Sequence, residues 1–223
     1  VLEVGPGTGV LTKYLLEKPT ETYVAEIDTE SIEYLKLHYQ KLENKHFTGD
    51  FLKINLNDIF FGEVAIIGNF PYNISSQILF KIIENYQQIP EMVGMFQKEV
   101  AERTAAVPRT KDYGILSVLV QAYYDVKYLF TVHENVFNPP PKVKSGVIKL
   151  TRNRKEGLEG NEILFKQIVK TGFGQRRKKL SNALKSLDIP EVLKSHAFMD
   201  KRAEELSVED FINFTQEWKA AKN

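Results

Sequence analysis

The sequence predicts a doubly wound α/β domain followed by a small all-helical one. Three observations predict it. Short apolar runs alternate with longer amphipathic stretches over the first two thirds of the chain. A glycine-rich turn follows the first apolar run. After a polar stretch at 152–160, only helical patterns remain.

The elements follow in order. Val1–Val4, Thr22–Ile27, Val64–Gly68 and Met92–Phe96 read as buried strands, with a third strand expected ahead of Gly49. Gly9–Lys18, Ser31–Leu42, Ser75–Asn85, Lys98–Ala106 and Gly114–Ala122 read as helices. Tyr124–Val132 and Lys142–Leu150 read as extended strands flanking Asn138-Pro139-Pro140-Pro141, whose prolines hold the backbone stiff and exclude a helix. Arg152–Gly160 is polar, contains Gly157 and Gly160, and reads as a linker. Helices are expected over Glu162–Gly172, Arg176–Ser186, Pro190–Ser195 and Val208–Lys219, the last capped by Ser207 with Asp210 three residues on. The predicted division is 1–151, a linker at 152–160, and 161–223. Val1 falls inside an expected buried strand, so further chain is expected ahead of it.

Composition narrows the chemistry. The chain has 223 residues, 43% of them hydrophobic, enough for a real core. It has no cysteine, which excludes thiolate nucleophiles and fits a reducing compartment. No run of about 18 apolar residues exists that could cross a membrane as a helix. His38, His46, His133 and His196 show no metal-ligand spacing, so no metal is expected. Charge is divided unevenly. Residues 1–138 carry 12 Lys and Arg against 18 Asp and Glu, while 139–223 carry 18 against 11. A polyanion contact on the C-terminal part is one reading, a solvated basic surface the other.

Val1–Thr12 places Gly5, Gly7 and Gly9 between a strand and a helix. Glycines let backbone approach a ligand closely, and a nucleotide-like cofactor suits this position. A dinucleotide-binding dehydrogenase has G-x-G-x-x-G; here Val10 stands where the third glycine would fall. Glu26, in Ala25-Glu26-Ile27-Asp28, ends the second strand, where a carboxylate suits ribose hydroxyls. Asp50 and Phe51 follow the third strand, an acceptor for an adenine amino group and a ring for its face. Asp50 taken alone is equally a turn residue.

The sharpest local signal is Asn69-Phe70-Pro71-Tyr72 after the fourth strand. An adenine N6 is a poor nucleophile because its lone pair is delocalised into the ring. Acceptors on both amino hydrogens free that lone pair, and the Asn69 side-chain oxygen and Phe70 carbonyl are suitable acceptors. Pro71 stiffens the turn and Tyr72 offers a π-face. The base must be unpaired or flipped to enter. Alone, such a turn would be read as a cap with a packing tyrosine; after the glycine turn, Glu26 and Asp50 in this order, it reads as a reacting site.

Gly5-Pro6-Gly7-Thr8-Gly9, Glu26-Ile27-Asp28, Gly49-Asp50-Phe51-Leu52 and Gly68 through Ser76 resemble the ordered motifs of the rRNA adenine N6,N6-dimethyltransferases, which include KsgA and Erm branches. The likeness continues through Gln97–Arg103, Val136–Ser145 and Phe173–Leu184, the last resembling the KsgA branch. Phe70 and Lys144 depart from the residues usual there.

The resemblance implies a Rossmann-like class I methyltransferase sheet with a helical C-terminal domain, using S-adenosylmethionine. It implies cofactor contacts from Gly5, Gly7, Glu26, Ile27, Asp50, Phe51 and Asn69, and a reacting set of Asn69, Phe70, Pro71, Tyr72 and Phe137. Tyr72 and Phe137 would sandwich the base. The implied substrate is two adjacent adenines in a 3′-terminal loop of small-subunit (16S) rRNA, in a partly assembled 30S subunit. A cytoplasmic monomer active in subunit maturation is expected. The family also has an N-terminal segment with a Q-x-F-L-like motif, expected ahead of Val1. Arg176, Arg177, Lys178 and Lys179, expected on a helix, would meet phosphates together with Lys142 and Lys144, with Lys149 extending the basic surface. Rival readings are an Erm-type enzyme acting on large-subunit rRNA, a non-catalytic RNA-binding assembly factor and, least favoured, a dehydrogenase.

Overall fold

The computed structural model describes residues 1–137 and 139–222; Asn138 of the proline-rich motif lies outside the described residues. Seven strands form one sheet: β1 (Leu2–Val4), β2 (Tyr23–Glu26), β3 (His46–Thr48), β4 (Ile66–Asn69), β5 (Glu91–Gln97), β6 (Tyr124–Val132) and β7 (Ser145–Arg152). Their order is β3-β2-β1-β4-β5-β7-β6. The first five run parallel. β7 runs antiparallel to β5, with Glu91 opposite Thr151 and Gln97 opposite Ser145. Parallel strands covered on both faces are apolar throughout. Leu2, Val24, Ile66 and Met92 are accordingly buried, and Glu3 and Glu26, also buried, are exceptions.

The helices are α1 (Thr12–Leu15), α2 (Thr29–His38), α3 (Ser75–Glu84), α4 (Lys98–Ala105), α5 (Ile115–Gln121), α6 (Glu162–Gly174), α7 (Leu180–Ala183) and α8 (Val208–Ala220). Ser207 caps α8 in the predicted box. Its hydroxyl accepts from Asp210 N at 3.1 Å and its N–H donates to the Asp210 carboxylate at 2.9 Å. Asp28 caps α2 by accepting from Ser31 N at 2.8 Å, which starts that helix earlier than expected.

Several expected elements are shorter. The helix over 9–18 contracts to α1, because Gly9 holds a positive φ of 85° at one end and Pro19 disfavours helix at the other. The helix over 176–186 contracts to α7. Lys179 is extended and bridges to Arg202, so Arg176, Arg177 and Lys178 lie in a turn rather than on a helix. The helix over 190–195 is a single 3₁₀ turn, Glu191–Leu193. The second strand around the prolines starts at Ser145, later than Lys142.

The chain forms two compact units, Val1–Ala101 with Lys127–Arg152, and Glu102–Val126 with Asn153–Asn223. The second therefore takes in α5, where a single break at 152–160 was expected. Side-chain bonds hold it there: Ser117 Oγ donates to Arg103 O at 2.6 Å, and Gln121 Nε2 to Thr104 O at 2.9 Å and Ala106 O at 2.8 Å. Its core packs Tyr113 edge-on against Phe173, and Phe173 at a tilt against Phe211, with successive ring centroids 5.9 Å apart. The buried Tyr113 hydroxyl donates to Leu206 O at 2.9 Å, satisfying the polar end of an otherwise apolar payload.

Candidate active site

The strand order reverses at β1, with β2 on one side and β4 on the other. In open α/β sheets, ligands bind outside the carboxyl ends of the strands at that reversal. Gly5 and Gly7 leave β1 there with positive φ. Gly9 is required by packing as well. A Cβ on it would fall 2.5 Å from the ring of Tyr39, whose hydroxyl donates to Gly9 O at 3.1 Å. The ring thus clamps the glycine turn from α2's end.

Glu26, at the end of β2 and 8% exposed, ties this turn to the next one. One carboxylate oxygen accepts from Gly7 N at 3.0 Å; the other accepts from Ile27 N at 2.8 Å and Asp28 N at 3.0 Å. A carboxylate has about four acceptor sites, so Oε2 keeps room for a hydroxyl donor. Asp50 Oδ1 accepts from Leu52 N at 3.0 Å, and its carboxylate lies 3.8 Å from Lys53 Nζ. The Phe51 ring is buried and Ile27 is exposed.

A cavity of about 700 Å³ opens beside the glycine turn, lined by Glu3, Gly5, Gly7, Asn69, Gly94 and Phe137 among others. Glu26 reaches this lining through Gly7 N; Ile27, Asp50 and Phe51 are outside it. Glu3 is the one titratable side chain in its described lining. It accepts from Thr12 Oγ1 at 2.6 Å. Burial pushes its carboxyl up to about 7, the Thr12 hydrogen bond opposes that rise, and the nearby Glu26 charge adds to it.

A second pocket of about 270 Å³ adjoins the Asn69 turn, bounded by Asn69, Phe70, Pro71, Tyr72, Phe137, Pro139 and Pro141. Asn69 and Phe137 therefore line both spaces. Phe70 is 1% exposed, and its ring lies over two glycines of the sheet. A Cβ on Gly94 would fall 2.4 Å from that ring, and one on Gly68 would fall 2.6 Å from Val4 O. The Phe70 side chain thus belongs to the core, packed 5.0 Å from Phe96, which leaves its carbonyl as the group able to act. Tyr72 opens a 3₁₀ turn leading into α3, and its hydroxyl lies 2.6 Å from Ser145 Oγ.

The predicted RNA-contacting residues separate into two kinds. Arg176 is bonded to Glu204 at 2.5 Å and to Thr110 O at 3.0 Å, and Lys179 to Asp200 at 2.9 Å. Arg177, Lys178, Lys142 and Lys144 are exposed, with no side-chain partner among the described residues. Lys149 is taken up by Glu91 at 2.5 Å. Sequence reasoning gave no role to Glu3, Thr12, Gly94 or Ser145. A lone acid inside an apolar strand was the visible signal for Glu3.

The donor set fits S-adenosylmethionine. The described lining of the larger cavity carries an acid and no Lys, Arg or His, which suits a sulfonium and an ammonium and opposes a pyrophosphate. Glu26 beside it retains an acceptor for a ribose hydroxyl. This sheet, with its reversed β7 and its cleft at the switch point, defines a class I S-adenosylmethionine-dependent methyltransferase.

The profile of one family, ribosomal RNA adenine dimethylase, matches residues 1–220, and the chain belongs to that family. It is 59% identical over 221 residues to the ribosomal RNA small subunit methyltransferase A of Flavobacterium johnsoniae, covering 99% of this chain and 85% of that protein. The crystal structure of a dimethyladenosine transferase from Plasmodium falciparum matches with a TM-score of 0.86 at 26% identity, covering 99% of this chain and 90% of that one. The 23S rRNA methyltransferase ErmE matches with a TM-score of 0.70 at 25% identity, covering 98% and 90%. Among the described residues no helix is long and apolar enough to cross a membrane.

Proposed function

We propose that this chain dimethylates N6 of two adjacent adenines in a 3′-terminal loop of small-subunit rRNA, within a partly assembled subunit, as a cytoplasmic monomer. The observation that carries the reading is the position of Asn69, on the wall between a cofactor-sized cleft and a small aromatic pocket. The cofactor supplies a methyl group on a sulfonium, whose positive charge is lost in the transfer. The protein's work is then to position and polarise.

Glu26 and the Gly5–Gly7 turn hold the nucleoside end of the cofactor, with Ile27, Asp50 and Phe51 toward its adenine. Asn69 Oδ1 and the Phe70 carbonyl accept from the target amine and draw its nitrogen towards a tetrahedral shape. Pro71 fixes that turn. Tyr72 and Phe137 stack on the base and return roughly 1–3 kcal/mol of the cost of unstacking it. Lys142, Lys144, Arg177 and Lys178 contact phosphates, which position the RNA without reading its sequence. No base is needed before transfer, since the methylated amine releases its proton afterwards.

The higher identity to small-subunit methyltransferases than to ErmE supports the small-subunit substrate. The test is transfer of labelled methyl from S-adenosylmethionine to small subunits lacking the modification, with Asn69→Ala alongside. Digestion to nucleosides is expected to yield labelled N6,N6-dimethyladenosine, reduced at least about 100-fold in the variant. Label appearing only in large-subunit rRNA would overturn the substrate. Full activity in Asn69→Ala would overturn the site.

A further inference from the structure

The aromatic pocket has two walls that reach it by different routes. Tyr72 comes from the turn after β4, and Phe137, Pro139 and Pro141 from the loop that ends at β7. Stacking a planar base between rings is sensitive to the gap between them, so the two walls need a common reference. The tyrosine hydroxyl meets Ser145 Oγ at 2.6 Å.

Ser145 is well suited to be that reference. It is fully buried. It is the first residue of β7 and pairs with Gln97, the last of β5. The preceding residue is fixed too, because Lys144 O accepts from Lys98 N at 2.9 Å. The end of the proline-rich loop is therefore stitched to the sheet at the point where its side chain grips Tyr72. We infer that Ser145 is a positioning residue for the acceptor base: through the Tyr72 hydroxyl it sets the ring's pose relative to the loop that carries Phe137. This rests on reading the Tyr72–Phe137 pocket as the base site.

The hydrogen bond would act on the geometry of transfer rather than on cofactor binding or on phosphate binding. The test uses Ser145→Ala, Tyr72→Phe and the double variant, each assayed for methyl transfer to unmodified small subunits and for S-adenosylmethionine affinity by calorimetry. Each single variant is expected to lower kcat roughly 3–10-fold, the size of one hydrogen bond, with KM and cofactor affinity within about twofold of wild type. The double variant should be no slower than the slower single, because both substitutions remove the same bond.

Wild-type kcat in Ser145→Ala, or multiplicative losses in the double variant, would overturn the inference. If Ser145→Ala fails to fold, Tyr72→Phe decides alone: it keeps the ring, so an unchanged kcat overturns the positioning role. A wild-type chain that methylates no rRNA adenine would instead sink the underlying reading, and this inference with it.

Discussion

The cofactor cleft and the aromatic pocket share Asn69 and Phe137 yet are built by different means. The cleft is made of backbone and buried acids. Glu26 accepts from three main-chain N–H groups, the glycine turn is clamped by Tyr39, and the nearly buried Glu3 lines the cavity beside it. The pocket is made of rings and prolines at a more open surface, with Ser145 as its buried anchor. A small, invariant ligand suits a rigid recess. A large RNA can be gripped over a wide surface, so the place where its base enters needs only to orient it. If that contrast is right, changes in the cleft should damage folding and cofactor binding together, while changes in the pocket should spare both.

Glu26→Ala should have the largest effect. It leaves three N–H groups without their acceptor and removes the proposed ribose contact. Cofactor affinity is expected to fall at least about 100-fold, and unfolding free energy by about 3 kcal/mol, as hydrogen bonds to a charged group disappear. Calorimetric titration and urea unfolding measure the two. A variant that folds as stably as wild type would show that the cleft is not held from this residue.

Glu3→Gln tests whether the cleft sacrifices stability for charge. The Glu3 carboxyl is pushed up to about 7 by burial, well above its unfolded range. Between about pH 4.5 and 7 the unfolded chain gives up a proton that the folded chain keeps. Stability therefore falls as pH rises through that window and is flat above it. Glutamine keeps a partner for Thr12 and removes the titration. The variant should gain up to about 3 kcal/mol over wild type between pH 5 and pH 8. Parallel stability profiles over that range would mean Glu3 ionises without cost and the cleft is wetter than its burial suggests.

Tyr72→Ala addresses the other half. It removes the ring together with its bond to Ser145, and should lower kcat/KM for small subunits roughly 30-fold, with cofactor affinity and melting temperature close to wild type. A loss of cofactor affinity as large as in Glu26→Ala would erase the distinction between cleft and pocket.

The same contrast explains what could be read from the sequence. Residues proposed to meet a ligand through a turn announce themselves by type and spacing, as Gly5, Gly7, Glu26 and Asn69–Tyr72 do. The parallel strands were legible because burial on both faces leaves continuous apolar runs. Residues that act by filling or yielding space are silent. Gly94 sits in an ordinary apolar run, and only the Phe70 and Phe96 rings beside it show why a side chain is excluded. Phe70 itself reads as part of the reacting motif, yet its ring is core. The basic run at 176–179 misled in another way. Its composition suits a helix, but the Lys179–Arg202 bridge holds the backbone extended just before α7. That is a long-range pairing no local pattern reports.

That correction sharpens the smallest prediction. If the aromatic pocket only orients the base, substrate affinity must come from elsewhere, and exposed cations without internal partners are the source to test. Arg177 and Lys178 are such a pair; Arg176 and Lys179 are not, being bonded to Glu204 and Asp200. Arg177→Ala with Lys178→Ala should weaken small-subunit binding a few-fold at moderate salt. It should also reduce the slope of log affinity against log salt by roughly 0.7–0.9 for each phosphate that the variant no longer neutralises. Arg176→Ala with Lys179→Ala should instead leave that slope alone and slightly lower the melting temperature, since exposed ion pairs contribute little. Filter binding across a salt series reads both. Equal slope changes in the two pairs would mean that the internal bonds open on RNA, and that all four cations belong to one phosphate-binding surface.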